Sequence, residues 1–171
     1  SMAASPLAGS FQSQPRGLPL IPRPKLFTPA PEGVYAIDPE SLAVDASTDV
    51  ELIARELLAG LRRYHQLPQM KFRNARDAKI IYRVQNLSLP SEGYEIKVSP
   101  GYVTVVGQDA AGLRMANQTL AQLAENRGGK LVWPVCAIRD WPSVGWRGVH
   151  LFGGLEIRAF HGAMADRILA P

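Results

Sequence analysis

The stretch from Ile138 to Leu151, Ile-Arg-Asp-Trp-Pro-Ser-Val-Gly-Trp-Arg-Gly-Val-His-Leu, constrains the fold more than any other part of the chain. Asp140, Trp141 and Pro142 form a connector in which the proline can neither continue a helix nor donate to a sheet. Beyond it, the apolar run Gly148 to Phe152 predicts a short strand, and Ile157, Phe160, Ala163, Met164, Ile168 and Leu169 recur at helical spacing. A strand followed by an amphipathic helix is one unit of a β/α repeat, and one unit cannot bury its own apolar faces. The sequence therefore reads as a first domain plus the opening of a second. We place a leader over 1–19, an α+β domain over 20–140, and a linker with the start of the next domain over 141–171.

Within the first domain, short elements follow one another quickly. The leader is rich in Ser, Ala, Gly, Gln and Pro without periodicity, the composition of a flexible segment. Pro22 and Pro24 push the residues before them into extended backbone. Leu26 to Thr28 and Val34 to Ile37 are strand candidates separated by a Pro-Ala-Pro-Glu-Gly turn, and Leu42 to Val44 is a third. Thr48 and Glu51 have capping-box spacing. Val50, Ile53, Ala54, Leu57, Leu58 and Leu61 then mark the buried face of a helix that Pro68 ends. Ala78 to Val84 predicts a strand; Tyr94 to Val98 and Tyr102 to Val106, joined through Ser99-Pro100-Gly101, predict a hairpin. A second helix from Asp109 to Asn126 turns Ala110, Leu113, Ala116, Leu120 and Leu123 inward and stops at Gly128-Gly129. Leu131 to Ile138 returns as a strand. The sum is a small, largely antiparallel sheet with two helices on one face.

Chemistry is harder to find. The +4 charge comes from dispersed residues, with Arg62-Arg63 the one adjacent basic pair, so no stripe suits a nucleic-acid backbone. No window approaches the ~18 apolar residues of a membrane span. The lone Cys136 excludes an internal disulfide, and its apolar setting predicts a buried, inert thiol. His65, His150 and His161 lack a third ligand at metal-binding spacing, so no metal is expected. Glu156 and Asp166 lie too far apart on the terminal helix to share acid–base work. Gly153-Gly154 fits neither the Walker nor the dinucleotide pattern, and no cofactor is expected. No catalytic set of nucleophile, base and orienting group can be assembled. Trp133, Trp141 and Trp146 surround the joint and predict inter-domain packing in preference to a sugar-stacking platform.

Several blocks do fall in a telling order: Ile21-Pro-Arg-Pro-Lys25, Gly93-Tyr-Glu-Ile-Lys-Val98, Gln108-Asp-Ala-Ala-Gly-Leu113, Gln118-Thr-Leu-Ala-Gln-Leu123, Ile138-Arg-Asp-Trp-Pro142 and Trp146-Arg-Gly148. This succession resembles the N-terminal, non-catalytic domain of glycoside hydrolase family 20, the β-N-acetylhexosaminidases, and its entry into the catalytic barrel, over about residues 20 to 152. The resemblance implies an α+β accessory domain followed by the first β/α unit of a truncated (β/α)8 barrel. It also implies an exo-acting glycosidase that removes terminal N-acetylhexosamine by substrate-assisted catalysis, with no cofactor. In that chemistry the substrate's acetamido group is the nucleophile, a Glu the general acid/base, and an adjacent Asp orients the acetamide. No adjacent Asp-Glu pair occurs in these 171 residues, so this stretch by itself is expected to be inactive.

Other expectations come with the resemblance. Trp141, Trp146 and Arg147 are its inter-domain structural residues. Where the family's first barrel strand continues into Leu-Asp and then a sugar-binding Arg, this chain has Phe152 and Leu155, which leaves Arg158 as the candidate for the sugar hydroxyls. A divergent branch and a relative with another sugar preference both fit. The family places the protein outside the cytoplasm, extracellular or periplasmic, and its carbohydrate substrate would be met by the barrel. The apolar face over 151–169 is expected to be covered by self-association or by the first domain folding back. The rival reading is a non-catalytic carbohydrate-binding or protein-interaction module.

Overall fold

The computed structural model describes residues 20–67, 72–76 and 78–145. Its strands are β1 (Leu26–Ile37), β2 (Val44–Asp45), β3 (Ile80–Val84), β4 (Tyr94–Ser99), β5 (Tyr102–Gly107), β6 (Glu125–Arg127) and β7 (Lys130–Asp140). Its α-helices are α1 (Glu51–His65) and α2 (Ala110–Leu123). The strands form one sheet in the order β1-β7-β4-β5-β3-β2, with β6 also paired to β7.

Strand alternation sorts this sheet into a dry and a wet face. Phe27, Ile138, Ile96, Val105 and Tyr82 align in register across five strands, and Cys136, Val98, Val103, Ile80 and Val44 form the neighbouring row. All ten are buried in one core. The intervening residues carry charge: Arg83 pairs with Asp45 at 2.6 Å and Arg139 with Glu95 at 3.2 Å. Helix α2 covers the dry face. The Tyr82 hydroxyl donates to Asn117 Oδ1 at 2.6 Å, and the Trp133 indole N–H to the Leu120 carbonyl at 2.9 Å. Asn117 also donates to the Ile53 carbonyl at 2.7 Å, which fixes α1 beside α2. The α+β architecture with two helices is as the sequence predicts.

The sheet is nonetheless mixed. Four pairings are antiparallel, but β3 runs parallel to β5 and β2 parallel to β3. Helix α1 connects β2 to β3, a crossover that makes neighbouring strands parallel. Alternation within each strand is the same in either direction, so periodicity does not announce it.

Local signals were overridden in three places. Leu26–Thr28 and Val34–Ile37 are one strand, because both halves pair with β7 in the same sense and the Pro-rich insert is accommodated as a bulge between Pro29 and Val34. The capping box at Thr48 does not form: α1 starts after Val50 without a side-chain cap, and Glu51 instead binds Arg55 and Asn74. That helix ends on left-handed Gln66, whose N–H bonds the Arg62 carbonyl, while Pro68 lies outside the described residues. Helix α2 stops at Leu123, not Asn126. Glu125–Arg127 pairs with β7, and Gly128-Gly129, both at positive φ, make its two-residue hairpin turn. The predicted strand and helix over 148–169 fall outside the described residues.

Candidate functional site

The end of β7 carries the chain out of the domain, and four distant segments converge there. Asp140 is the last residue of the strand. One carboxylate oxygen accepts from the Lys25 backbone N–H at 3.0 Å, and the other from the Tyr94 hydroxyl at 3.3 Å. Tyr94 shares a second hydrogen bond, 2.6 Å, with the Thr119 hydroxyl of α2. Burial pushes the Tyr94 phenol well above its ordinary value, against a smaller downward pull from Thr119. It is therefore a neutral hydrogen-bonding post, with no role for a phenolate at physiological pH.

Lys25 does more than its backbone bond. Its ammonium lies 2.6 Å from the Ser143 hydroxyl and 5.3 Å from the centroid of the Trp141 ring. A cation over an aromatic face at that distance is attractive by the ring quadrupole. Upstream, Gln122 clamps Ile21 through both its amide atoms, accepting from the N–H at 2.9 Å and donating to the carbonyl at 3.1 Å. The Ile21-Pro22 bond is cis.

Between these fastenings lies a groove of about 550 Å3. The outer side of α2 (Met115, Gln118, Gln122) makes one wall and the exit segment from Asp140 to Val144 the other. Trp141, predicted as inter-domain, stands in this groove half-buried. Trp146, Arg147 and Arg158 lie outside the described residues, as do His150, His161 and the Gly153-Gly154 pair.

Other candidates resolve into structure. Trp133 is not at the joint surface. It is fully buried, stacked on Tyr35 at 6.1 Å and bonded to α2, because the irregularity opposite the Pro29–Val34 bulge shifts the alternation of β7 and turns Leu131 and Trp133 to the same core as Cys136 and Ile138. His65 ties the end of α1 to the Ala121 carbonyl at 2.8 Å. Cys136 is buried, and desolvation pushes its thiol up to about 12, which keeps it protonated and unreactive. Among the described residues no group of three His, Cys, Asp or Glu side chains gathers to hold a metal ion.

The groove can do little chemistry. Among the described residues no nucleophile–base pair faces it, and the polar groups Asp140, Thr119, Gln122 and Lys25 are bonded to other parts of the same domain. The side chains that matter most were not singled out from sequence: Lys25, Tyr94, Thr119, Gln122 and Asp140. Each nevertheless stands in or beside a block that carried the family resemblance. What those blocks build together is the place where the chain leaves the domain.

The sequence profile described as Glycosyl hydrolase family 20, domain 2, matches residues 17–141. Among solved structures, the chain is similar to the family 20 exo-β-N-acetylglucosaminidase of Vibrio harveyi, with TM-score 0.65 and 23% identity over 82% of this chain and 22% of that one. It is similar also to the N-acetyl-β-hexosaminidase of Streptomyces plicatus, with TM-score 0.64 and 24% identity over 80% of this chain and 29% of that one. A third likeness is to the β-N-acetylhexosaminidase of Bacteroides fragilis, with TM-score 0.60 and 23% identity over 76% and 26% of the two chains. The chain thus spans less than a third of the length of these proteins. Comparison with curated protein sequences gave no match.

Proposed function

The chain belongs to glycoside hydrolase family 20, whose second domain it carries over residues 17–141, and we propose that it is the accessory part of an exo-acting glycosidase that removes terminal N-acetylhexosamine. In this reading the chemistry is substrate-assisted and belongs to residues downstream, because these 171 residues contain no adjacent Asp-Glu pair. The domain's task is to hold the start of the catalytic domain in a fixed position and to stabilise it, and the whole protein works outside the cytoplasm.

One observation carries the reading. Four sequence-distant blocks meet at the exit of β7 and spend their polar atoms on one another and on that exit. A sugar-binding module would need those atoms, and an aromatic face, available to ligand. Here the Trp141 face carries the Lys25 ammonium, which speaks against the carbohydrate-binding alternative.

The test is an assay with an aryl N-acetylglucosaminide on this chain and on a version extended through its downstream reading frame. Turnover by the extended chain alone is expected. Turnover by the 171-residue chain, or its binding of N-acetylglucosamine with no gain on extension, refutes the accessory role.

A further inference from the structure

The face of the sheet opposite the helices has a charge pattern that fastening the exit of β7 does not explain. Thr28, Ala137, Lys97, Thr104, Ile81 and Asp45 align there in one row, and among the described residues no helix covers them. The carboxylates that β2 to β5 place on this face, Asp45 and Glu95, are each paired with an arginine, at 2.6 and 3.2 Å. The cations toward the end where β3 and β5 begin are not. Lys97 stands exposed in β4 between buried Ile96 and Val98. Lys79 and Arg76 are exposed beside a depression of about 650 Å3 that Ile81, Pro100, Gly101 and Tyr102 also line. Among the described residues none of these three cations has a side-chain ion pair or hydrogen bond. Tyr102 is 40% exposed on the same side, and the register makes it the diagonal neighbour of Lys97.

Charge density selects the partner. Lys79 and Lys97 are separated by two strand spacings of roughly 4.8 Å and two residues of roughly 3.3 Å, or about 12 Å between their Cα atoms. Duplex nucleic acid carries a charge every ~1.7 Å and rewards a continuous run of cations, which this spacing does not make. An anionic membrane rewards clustered cations with large apolar groups to insert, whereas the side chains beside these cations are mainly hydroxyl, methyl and one phenol ring. A polysaccharide with isolated carboxylates offers sparse charge, hydroxyls and apolar sugar faces. These match the lysines, Thr104 and the Tyr102 ring in turn.

We infer that this face binds an acidic polysaccharide bearing uronate carboxylates, with Lys79 and Lys97 each pairing with an acidic sugar and Tyr102 packing against a sugar ring. The contact retains a polymer by charge and does not recognise a terminal N-acetylhexosamine. It is therefore separate from the accessory role and holds whatever reaction the downstream residues perform. Asp77, next to Arg76, lies outside the described residues, and the test is placed on Lys79 and Lys97.

The measurement is the affinity of the full chain for polygalacturonate at about 50 mM salt, where charge contacts are weakly screened. Lys79→Glu/Lys97→Glu is compared with Arg62→Glu/Arg63→Glu, which makes the same change of net charge at exposed positions of α1. The first pair is expected to weaken binding about tenfold and the second less than about twofold, because only the first replaces two contacts with repulsions. Neutral dextran is expected not to bind. The buried Cys136 thiol reports the fold and should stay unreactive to Ellman's reagent in every variant. A pair that exposes it is replaced by its Gln counterpart, Lys79→Gln/Lys97→Gln or Arg62→Gln/Arg63→Gln, and the comparison is made between the two Gln pairs. Equal weakening by the two pairs overturns the inference, since net charge alone then accounts for binding. Absence of polygalacturonate binding, or equally tight binding of dextran, overturns it too. Tighter binding of single-stranded DNA that the Lys79/Lys97 pair abolishes assigns the face to nucleic acid instead. None of these results depends on the glycosidase assay, so the two proposals fail separately.

Discussion

Replacing Gly112 by Ala separates two effects that usually travel together. Gly112 lies in the first turn of α2, where alanine is the better helix former by up to about 1 kcal/mol. A Cβ there would overlap the carbonyl oxygen of Gly93 and stand 3.1 Å from its carbon. Both are backbone atoms that cannot rotate away, and the same oxygen accepts the Gln108 N–H at 2.8 Å. Relieving the overlap therefore requires moving the entrance to β4. Overpacking of this kind costs about 1–3 kcal/mol, and losing the Gln108 bond adds about 1 kcal/mol. The net of gain and losses is a destabilisation of about 2 kcal/mol, or a Tm lower by about 6–10 °C for a domain of this size. Gly60 is the control. It is also helical, but its Cβ would meet only the Cβ of Ala121, at 3.2 Å. A shift of a few tenths of an ångström suffices, so Gly60→Ala should fall within about 1 kcal/mol of wild type. Thermal and urea unfolding of the full chain, followed by circular dichroism, measures both. The reasoning is refuted if Gly112→Ala melts with the wild type, or if Gly60→Ala loses as much.

Three further outcomes can be measured on the same assay. Asp109 caps α2 through the Gly112 N–H at 2.7 Å and also receives the Ser91 hydroxyl and the Glu92 N–H, so Asp109→Ala should cost about 2 kcal/mol while Asp109→Asn keeps most of the cap. Asn117→Ala leaves the buried Tyr82 hydroxyl and the Ile53 carbonyl short of a partner, and should cost about 3 kcal/mol against about 1 kcal/mol for Tyr82→Phe; equal losses would mean that Asn117 acts through only one of its two bonds. Burial raises the folded pKa of Cys136, to about 12, and of Tyr82 and Tyr94, so the stability they confer is full below about pH 9 and is lost as pH climbs through the folded values. The slope should approach about 1.4 kcal/mol per pH unit for each group titrating in the unfolded chain, Cys136→Ala should move the onset up to the tyrosine range near pH 10, and a flat stability from pH 9 to 11 would contradict the burial argument.

What the sequence reveals here follows from range. Interactions within one element are legible: the Ile53–Leu61 stripe of α1, the alternation of Tyr94, Ile96 and Val98, the start of α2 at Asp109. Choices between two competing local partners are less so. Glu51 has capping-box spacing to Thr48, yet it lies within reach of Arg55 one turn on and of Asn74, which bridges to Val44 at the sheet edge, and these charge-assisted and tertiary bonds win. Gly128-Gly129 suits a helix stop and a two-residue hairpin equally, and only the proximity of β7 selects the hairpin. Trp133 and Trp141 are eight residues apart in similar company. One points into the dry face of β7 and the other lies past its end, a difference set by where the strand stops.

The candidate site was the least legible part for the same reason. Lys25 and Asp140 are 115 positions apart, and Ile21 and Gln122 are 101 apart. Nothing local in Lys25 predicts an ammonium on Trp141, and nothing local in Gln122 predicts a clamp on Ile21. The individual bonds are weak, because they lie near solvent where each is worth about 1 kcal/mol or less. Their weight is directional. A backbone bond from Lys25, its ammonium on Ser143 and Trp141, and the Tyr94–Asp140 bond restrain successive residues of the exit segment from different sides. A connector left unattached would let two domains move independently, which is the usual expectation for linked domains. Here the connector is bonded to the domain through Ser143, so the exit segment as far as that residue is held against the sheet it leaves.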